Sequence, residues 1–415
     1  MTVIIYVDTI TTGSSYAIGT EDFYVSAGVI VGSTTQNAFD GSTGNDHKFT
    51  IMGDVFGELS GIDVDGDAAV DAGQRIFLGE NGSVIGNLVG VSISSYFSHI
   101  VNYGTISGVF GVFMKGISIV YGSTLFNAGT IEGSSVGVNR DNSTENFTLI
   151  NTGQIHGGNY AYSSSGTNVD VIRNQGRMEG YVILGIGDDT YDGRGGTVSD
   201  TVYAGVGKDT FFAGAGAETF DGGAGTDVLN FASTSGVRMS LANDVANTGT
   251  AAGDIYISIE NVIGSRLGAD RIMGNSVANN LKGQGGADIL WGMAGNDSLT
   301  GGVGVDTLYG GTGNDVFVFN KLIDVGDVIK DFNNAEKFNI TASGFGGGLV
   351  AGTLAASKFI ARADHVAQDG NDRFIFDTTH RSVWFDVDGT GSAAAVMVAD
   401  LQAGATITAA NFLLI

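Results

Sequence analysis

Between Ser265 and Val318 an apolar residue recurs at every ninth position, each flanked by residues of mixed polarity and preceded by a glycine-rich stretch. The blocks GQGGADILW, GMAGNDSLT, GGVGVDTLY and GGTGNDVFV follow one another without a gap. Glycines supply the positive-φ turn, and the three residues around the apolar position form a short strand whose middle side chain points inward. This predicts that Ile272, Leu281, Leu290, Leu299, Leu308 and Phe317 line one core. Alternate blocks return to the same edge of a flattened coil, so stacked strands lie 18 residues apart in sequence and ~4.8 Å apart in space. A less regular copy runs from Leu184 to Phe231.

The first 182 residues carry a longer and looser pattern, N-x-G-x-I-x-G. It reads NYGTISG at Asn102, NAGTIEG at Asn127, NTGQIHG at Asn151 and NQGRMEG at Asn174, with ENGSVIG at Glu80 and IMGDVFG at Ile51 as further copies. Successive spacings are 29, 22, 25, 24 and 23 residues, the length of one rung of a parallel β-helix. Stacked rungs would align Val55, Val84, Ile106, Ile131, Ile155 and Met178 as an interior column. Asn102, Asn127, Asn151 and Asn174 would form an amide ladder at a turn. Frequent glycines between Thr, Val, Ile and Phe disfavour any long helix. The predicted class is all-β: a right-handed parallel β-solenoid, continuous along the molecule, with the amide ladder giving way to acidic loops near Gly185.

Charge then gives the second repeat its chemistry. Acidic residues outnumber basic ones 44 to 19, a formal charge of −25, which excludes a nucleic-acid backbone as partner over most of the surface. With 43% hydrophobic residues and 24 Phe, the chain is not an acidic disordered tail. It has no cysteine, which removes disulfides and thiolate metal sites. Within the nonapeptides the acidic positions are Asp270, Asp288, Asp297, Asp306 and Asp315, with Asn279 in the same register; the earlier block supplies Asp189, Asp200, Asp209, Glu218 and Asp227. Two carboxylates ~4.8 Å apart at an effective dielectric near 20 repel by roughly 3–4 kcal/mol. Such rows need a cation between them, and a hard divalent ion with six to eight oxygen ligands, Ca²⁺ rather than Mg²⁺, suits carboxylates supplemented by turn carbonyls.

These nonapeptides resemble the RTX, or hemolysin-type calcium-binding, repeats of proteins exported by bacterial type I secretion. The resemblance covers residues 184–320 and implies several bound calcium ions. GDIYISIENVIGS, from Gly253 to Ser265, looks like the spacer between such arrays. The C-terminal stretch is similar to the region that serves as an uncleaved signal for a type I ABC exporter, and alternation at Phe374–Phe376 and Val383–Phe385 predicts strands that cap the roll. The implied organisation is a β-helix-like region 1–182, a first β-roll block 183–235, a connector 236–264, a second block 265–320, and a cap with secretion region 321–415.

Asp327 with Asp331, and Asp386 with Asp388, each read equally as a further cation pair or a polar turn; the first pair is the better candidate because it follows the last calcium loop directly. Two acidic clusters in the N-terminal region, Asp63, Asp65, Asp67 and Asp71, and GSTGNDHKF at Gly41, read as solvated loops before calcium sites.

No catalytic constellation stands out. There is no H-E-x-x-H, so the zinc protease domain often joined to RTX arrays is missing. His47, His99, His156, His365 and His380 show no metal-ligand spacing. The G-x-S-x-G at Gly133–Gly137 precedes a polar loop instead of a helix. Because RTX-tailed β-helices host uronate lyases and epimerases, Arg140, Arg173 and Arg177 with Tyr160, Tyr162 and Asp170 form the one dense cluster to consider, with surface solvation as the default. A pore-forming role is disfavoured by the lack of a long amphipathic or apolar helix. No apolar run suits a transmembrane segment, and MTVIIYVDTITTG lacks the basic region of a cleavable signal. The expectation is a secreted calcium-folded protein in a structural, matrix or adhesive role, with extracellular polysaccharide or the cell surface as partner.

Overall fold

A computed structural model describes residues 2–5, 8–11, 16–17, 22–41, 47–64, 73–94, 98–115, 122–141, 145–214, 216–233, 235–243 and 247–415. Asp46, Asp65, Asp67 and Asp71, from the two N-terminal acidic clusters, lie outside these residues. The chain forms two compact units, Met1–Asp227 and Val228–Ile415.

The first unit is a parallel β-solenoid built from two stacks of strands. One stack includes Arg75–Leu78, His99–Asn102, Ser123–Asn127, Phe147–Asn151, Asp170–Asn174, Thr190–Asp192 and Thr210–Phe212, each parallel to the next. The other includes Ser83–Gly86, Thr105–Met114, Thr130–Arg140, Gln154–Ser164, Arg177–Ile186, Thr201–Gly207 and Thr219–Gly225. The predicted apolar column is present: Val55, Val84, Ile106, Ile131, Ile155 and Met178 stand in register and are fully buried. The amide ladder is present too. Asn102 Nδ2 donates to Asn127 Oδ1 at 2.7 Å, Asn127 to Asn151 at 2.8 Å and Asn151 to Asn174 at 2.9 Å. The glycine two residues after each Asn is dictated by the stacking itself. A Cβ on Gly129, Gly153 or Gly176 would fall inside 3.0 Å of a backbone carbonyl of the preceding rung, so any side chain would force rungs apart.

The second unit stacks shorter strands in the same parallel manner. Arg271–Met273, Ile289–Trp291, Thr307–Tyr309 and Asp327–Ile329 form one side; Asn261–Ile263, Asn280–Gly285, Ser298–Val303, Val316–Phe319 and Lys337–Ile340 form the other. Ile272, Leu290 and Leu308 align on the first side and Leu281, Leu299 and Phe317 on the second, all buried, which is the alternation expected of a nonapeptide β-roll. The C-terminal segment extends both sides. Val396–Leu401 pairs parallel to Asp327–Ile329 and continues antiparallel into Ser382–Phe385 and Phe374–Asp377, while Phe412–Leu414 pairs parallel to Lys337–Ile340. Phe338, Phe374 and Phe412 meet beneath these strands, with ring centroids 4.6 and 5.1 Å apart. A single short α-helix, Ala342–Phe345, occurs among the described residues.

Candidate metal centre

Three rows of acidic residues run along the rims, and one hydrogen-bond pattern builds all of them. In the second unit the backbone N–H of Asp270 donates to Asp288 Oδ1 at 2.7 Å, that of Asp288 to Asp306 at 2.7 Å and that of Asp306 to Asp327 at 3.0 Å. On the opposite rim Asn279 donates to Asp297 at 2.8 Å and Asp297 to Asp315 at 2.9 Å. In the first unit Asp170 donates to Asp189, Asp189 to Asp209 and Asp209 to Asp227, at 2.7, 2.7 and 2.8 Å. Each carboxylate thus spends one oxygen holding the previous rung. Its other oxygen, Oδ2, is buried without a hydrogen-bond partner at Asp189, Asp209, Asp288, Asp297, Asp306, Asp315 and Asp327. A buried, unpartnered carboxylate oxygen costs several kcal/mol unless a proton or cation reaches it.

The glycine that opens each nonapeptide explains where a cation fits. A Cβ on Gly283, Gly292, Gly301 or Gly310 would collide with the Oδ2 of Asp288, Asp297, Asp306 or Asp315 respectively. On Gly283 and Gly292 it would also lie 2.7 and 2.5 Å from the carbonyl oxygens of Gly301 and Gly310. The missing side chain leaves a cradle lined by carboxylate and carbonyl oxygens. Among the described residues no three His, Asp or Glu side chains are grouped so as to hold a metal ion by themselves, so an ion here would complete its shell from the backbone, as calcium does and magnesium does reluctantly.

Electrostatics point the same way. Burial first, and then the carboxylate on the adjacent rung, push Asp189 and Asp288 up to about 7 and Asp209 and Asp297 up to about 6, against the pull of the donated N–H. Asp327, buried and facing Asp306, is pushed up to about 8. Asp270, Asp306 and Asp315 are raised as well, chiefly by burial. A divalent ion held by these oxygens would supply the positive charge that the rims otherwise lack.

The other sequence candidates divide. Glu218 is buried and accepts the Gly214 N–H at 2.6 Å. Asp200 stands in register with it, since Thr201 pairs with Thr219, yet Asp200 is exposed and accepts from the Ser199 hydroxyl at 2.5 Å, apart from the ladder. Asp331 accepts the N–H groups of Gly310 and Gly311, each at 2.9 Å, and so clips the last nonapeptide turn. Asp386 and Asp388 close their own turn: Asp386 Oδ1 accepts from Asp388 and Gly389, and Asp388 Oδ2 from Ala393.

Two acidic groups in these rows were not singled out as ligands from sequence. Asp170 heads the row in the first unit. Glu336 occupies the position in register with Asp315, is buried, and is pushed up to about 8 by burial with Asp315 and Asp331 adding to the effect. Its signal was available: Asp327 follows Asp306 by 21 residues, and Glu336 follows Asp315 by the same interval.

The sugar-chemistry cluster does not converge. Arg140, Tyr162 and Asp170 are buried together, contrary to the expectation of surface solvation, whereas Arg173, Arg177 and Tyr160 face outward. The G-x-S-x-G lies inside the strand Thr130–Arg140 and not at a strand-to-helix turn. Folding does unite two distant histidines: Asp377 Oδ2 lies 2.8 Å from His380 Nδ1 and 3.9 Å from His365 Nδ1.

No curated protein matches the chain. Residues 194–229, 266–299 and 282–317 match the family model of the RTX calcium-binding nonapeptide repeat, which occurs in four copies. Asp209, Asp227, Asp270, Asp288, Asp297, Asp306 and Asp315 of the rims fall within these segments, and the chain is of the calcium-binding RTX type there.

Proposed function

We infer that the protein is secreted, folds on calcium after export, and serves outside the cell as a structural, matrix or adhesive element. The observation that carries this reading is the row of buried carboxylates whose second oxygens have no hydrogen-bond partner, repeated on three rims that overlap the segments matching RTX repeats. Asp189, Asp209, Asp227 and Glu218 in the first unit, and Asp270, Asp288, Asp297, Asp306, Asp315 and Asp327 in the second, are the proposed ligands, with Asp331 supporting the last turn. When bound, Ca²⁺ supplies charge neutralisation between rungs; the residues themselves supply oxygens at fixed spacing. At cytosolic calcium levels the rims would repel and stay unfolded, in a state suited to passage through a type I ABC exporter that reads the C-terminal region. External modules of this ligand type bind at about 10⁻⁴–10⁻³ M, so millimolar calcium outside would complete the fold.

Most of the described chain is devoted to repeats, and the residues considered for polysaccharide lyase or epimerase chemistry do not share a groove. That supports a scaffold role, with extracellular polysaccharide or the cell surface as the proposed partner. Among the described residues no helix is long and apolar enough to cross a membrane.

Titrating the full chain with CaCl₂ from a chelated start, followed by far-ultraviolet circular dichroism with MgCl₂ as control, tests the calcium step. A cooperative gain of strand signal near 10⁻³ M calcium, and none with magnesium, is expected. Identical spectra in chelator and calcium would contradict it.

A further inference from the structure

The acidic row of the first unit begins at a residue unlike the rest. In one inward-facing column Phe147 is followed in register by Asp170, and Asp170 by Asp189. Asp170 makes the same link as its successors, its N–H donating to Asp189 Oδ1 at 2.7 Å. Yet both its carboxylate oxygens are engaged. Arg140 pairs with Oδ1, and the Tyr162 hydroxyl donates to Oδ2 at 2.7 Å. At Asp189 and Asp209 the corresponding Oδ2 has no hydrogen-bond partner.

Arg140 reaches this point from the other strand stack. Positions in register with it are Met114 before and Ser164 after, so the guanidinium enters the core where the preceding rung has a thioether. It is 1% exposed and Asp170 is 0% exposed. The guanidinium carbon sits 4.6 Å from the centre of the Phe147 ring, and Nη2 donates to the Glu145 carbonyl at 2.8 Å. One side chain therefore spans the step from Phe147 to the first carboxylate of the row. An arginine is confined there only at heavy desolvation cost, which the buried pairing with Asp170 offsets.

We propose that Arg140 is a covalently attached counter-ion at the head of the carboxylate row. It holds at Asp170 the place that a divalent cation takes between later rungs, so the Asp170–Asp189 link closes without metal. Residues 189–227 then have a fixed edge on which calcium-driven folding starts. The events beyond Asp189 rest on the calcium reading; the Arg140 contact does not.

Hydrogen exchange read by mass spectrometry on the full chain, in chelator and in calcium, tests this with three proteins: the wild type, Arg140→Met, and Arg140→Met with Asp170→Asn. Methionine matches the Met114 position, and asparagine keeps an oxygen for the Tyr162 hydroxyl while removing the charge. In chelator the wild-type amides of residues 147–174 should exchange at least about 100-fold more slowly than those of 209–227. Arg140→Met should lose at least about tenfold of that protection, and the double variant should regain most of it. The proposal is overturned if residues 147–174 of the wild type are as calcium-dependent as 209–227, if Arg140→Met is unchanged, or if the double variant is as unprotected as the single one. Should Arg140→Met not fold, the wild-type contrast and the double variant still decide. Failure of the calcium reading would show separately, as exchange in 209–227 that ignores calcium.

Discussion

Asp170 and Asn174 stand at opposite ends of one five-residue strand, Asp170 heading a row of carboxylates and Asn174 ending a row of amides. The two ladders solve the same problem, stacking identical polar groups at strand spacing, with opposite requirements. Amides satisfy one another because each carries a donor and an acceptor. Carboxylates carry acceptors only, so their ladder needs protons, an arginine or metal.

Replacing an amide should therefore be costly with or without calcium. Asn127 is buried and bridges Asn102, Asn151 and the Gln154 carbonyl. Asn127→Ala leaves those partners unsatisfied and should destabilise the first unit by about 2–4 kcal/mol in chelator and in calcium alike, as read by denaturant melts.

Neutralising one carboxylate should act in opposite directions under the two conditions. Asp288→Asn keeps an oxygen for the Asp270 N–H but relieves the repulsion with Asp306 and Asp270. In chelator at pH 8 the variant should be more stable than the parent by about 1–3 kcal/mol, whereas its calcium affinity should fall. A purely structural aspartate would show the first effect without the second.

Proton binding gives a third test. The folded-state carboxyl groups titrate above their unfolded value of 3.8, with Asp209 and Asp297 at about 6, Asp189 and Asp288 at about 7 and Asp327 at about 8. Between these limits the folded chain binds more protons than the unfolded one, so stability is fully present below about pH 4 and is lost as pH rises through 6 to 8. Metal-free protein should accordingly show more strand signal by far-ultraviolet circular dichroism at pH 5 than at pH 8. In saturating calcium the trend should reverse, because protons compete with the ion for the same oxygens.

Filling a cradle should remove a site outright. A Cβ on Gly301 would collide with Asp306 Oδ2. Gly301→Ala should lower the calcium stoichiometry measured by equilibrium dialysis by about one ion, and strand content in calcium should drop only locally.

Much of this architecture was legible in the chain. The nonapeptide period alone located Leu290 beneath Ile272 and Asp288 beside Asp306, since a strict repeat maps sequence interval onto rung position. The same holds for the asparagines. Where the interval stretches, periodicity loses its hold. Asp200 matches Glu218 by register but faces solvent, and it follows Asp189 by 11 residues instead of nine. Glu336 lies 21 residues past Asp315, outside a nine-residue count. Burial of Arg140 was illegible for another reason: a lone arginine at a strand end signals solvent unless its partner, 30 positions later, is known to fold against it.

The central claim is that metal ions sit between the acidic rungs. Crystals grown in calcium, with anomalous differences collected on the long-wavelength side where calcium scatters strongly, measure this directly. Anomalous peaks are expected between Asp189 and Asp209, between Asp288 and Asp306, and between Asp297 and Asp315, each within about 2.3–2.6 Å of a carboxylate oxygen. Well-ordered rims with no anomalous density at these positions would contradict it.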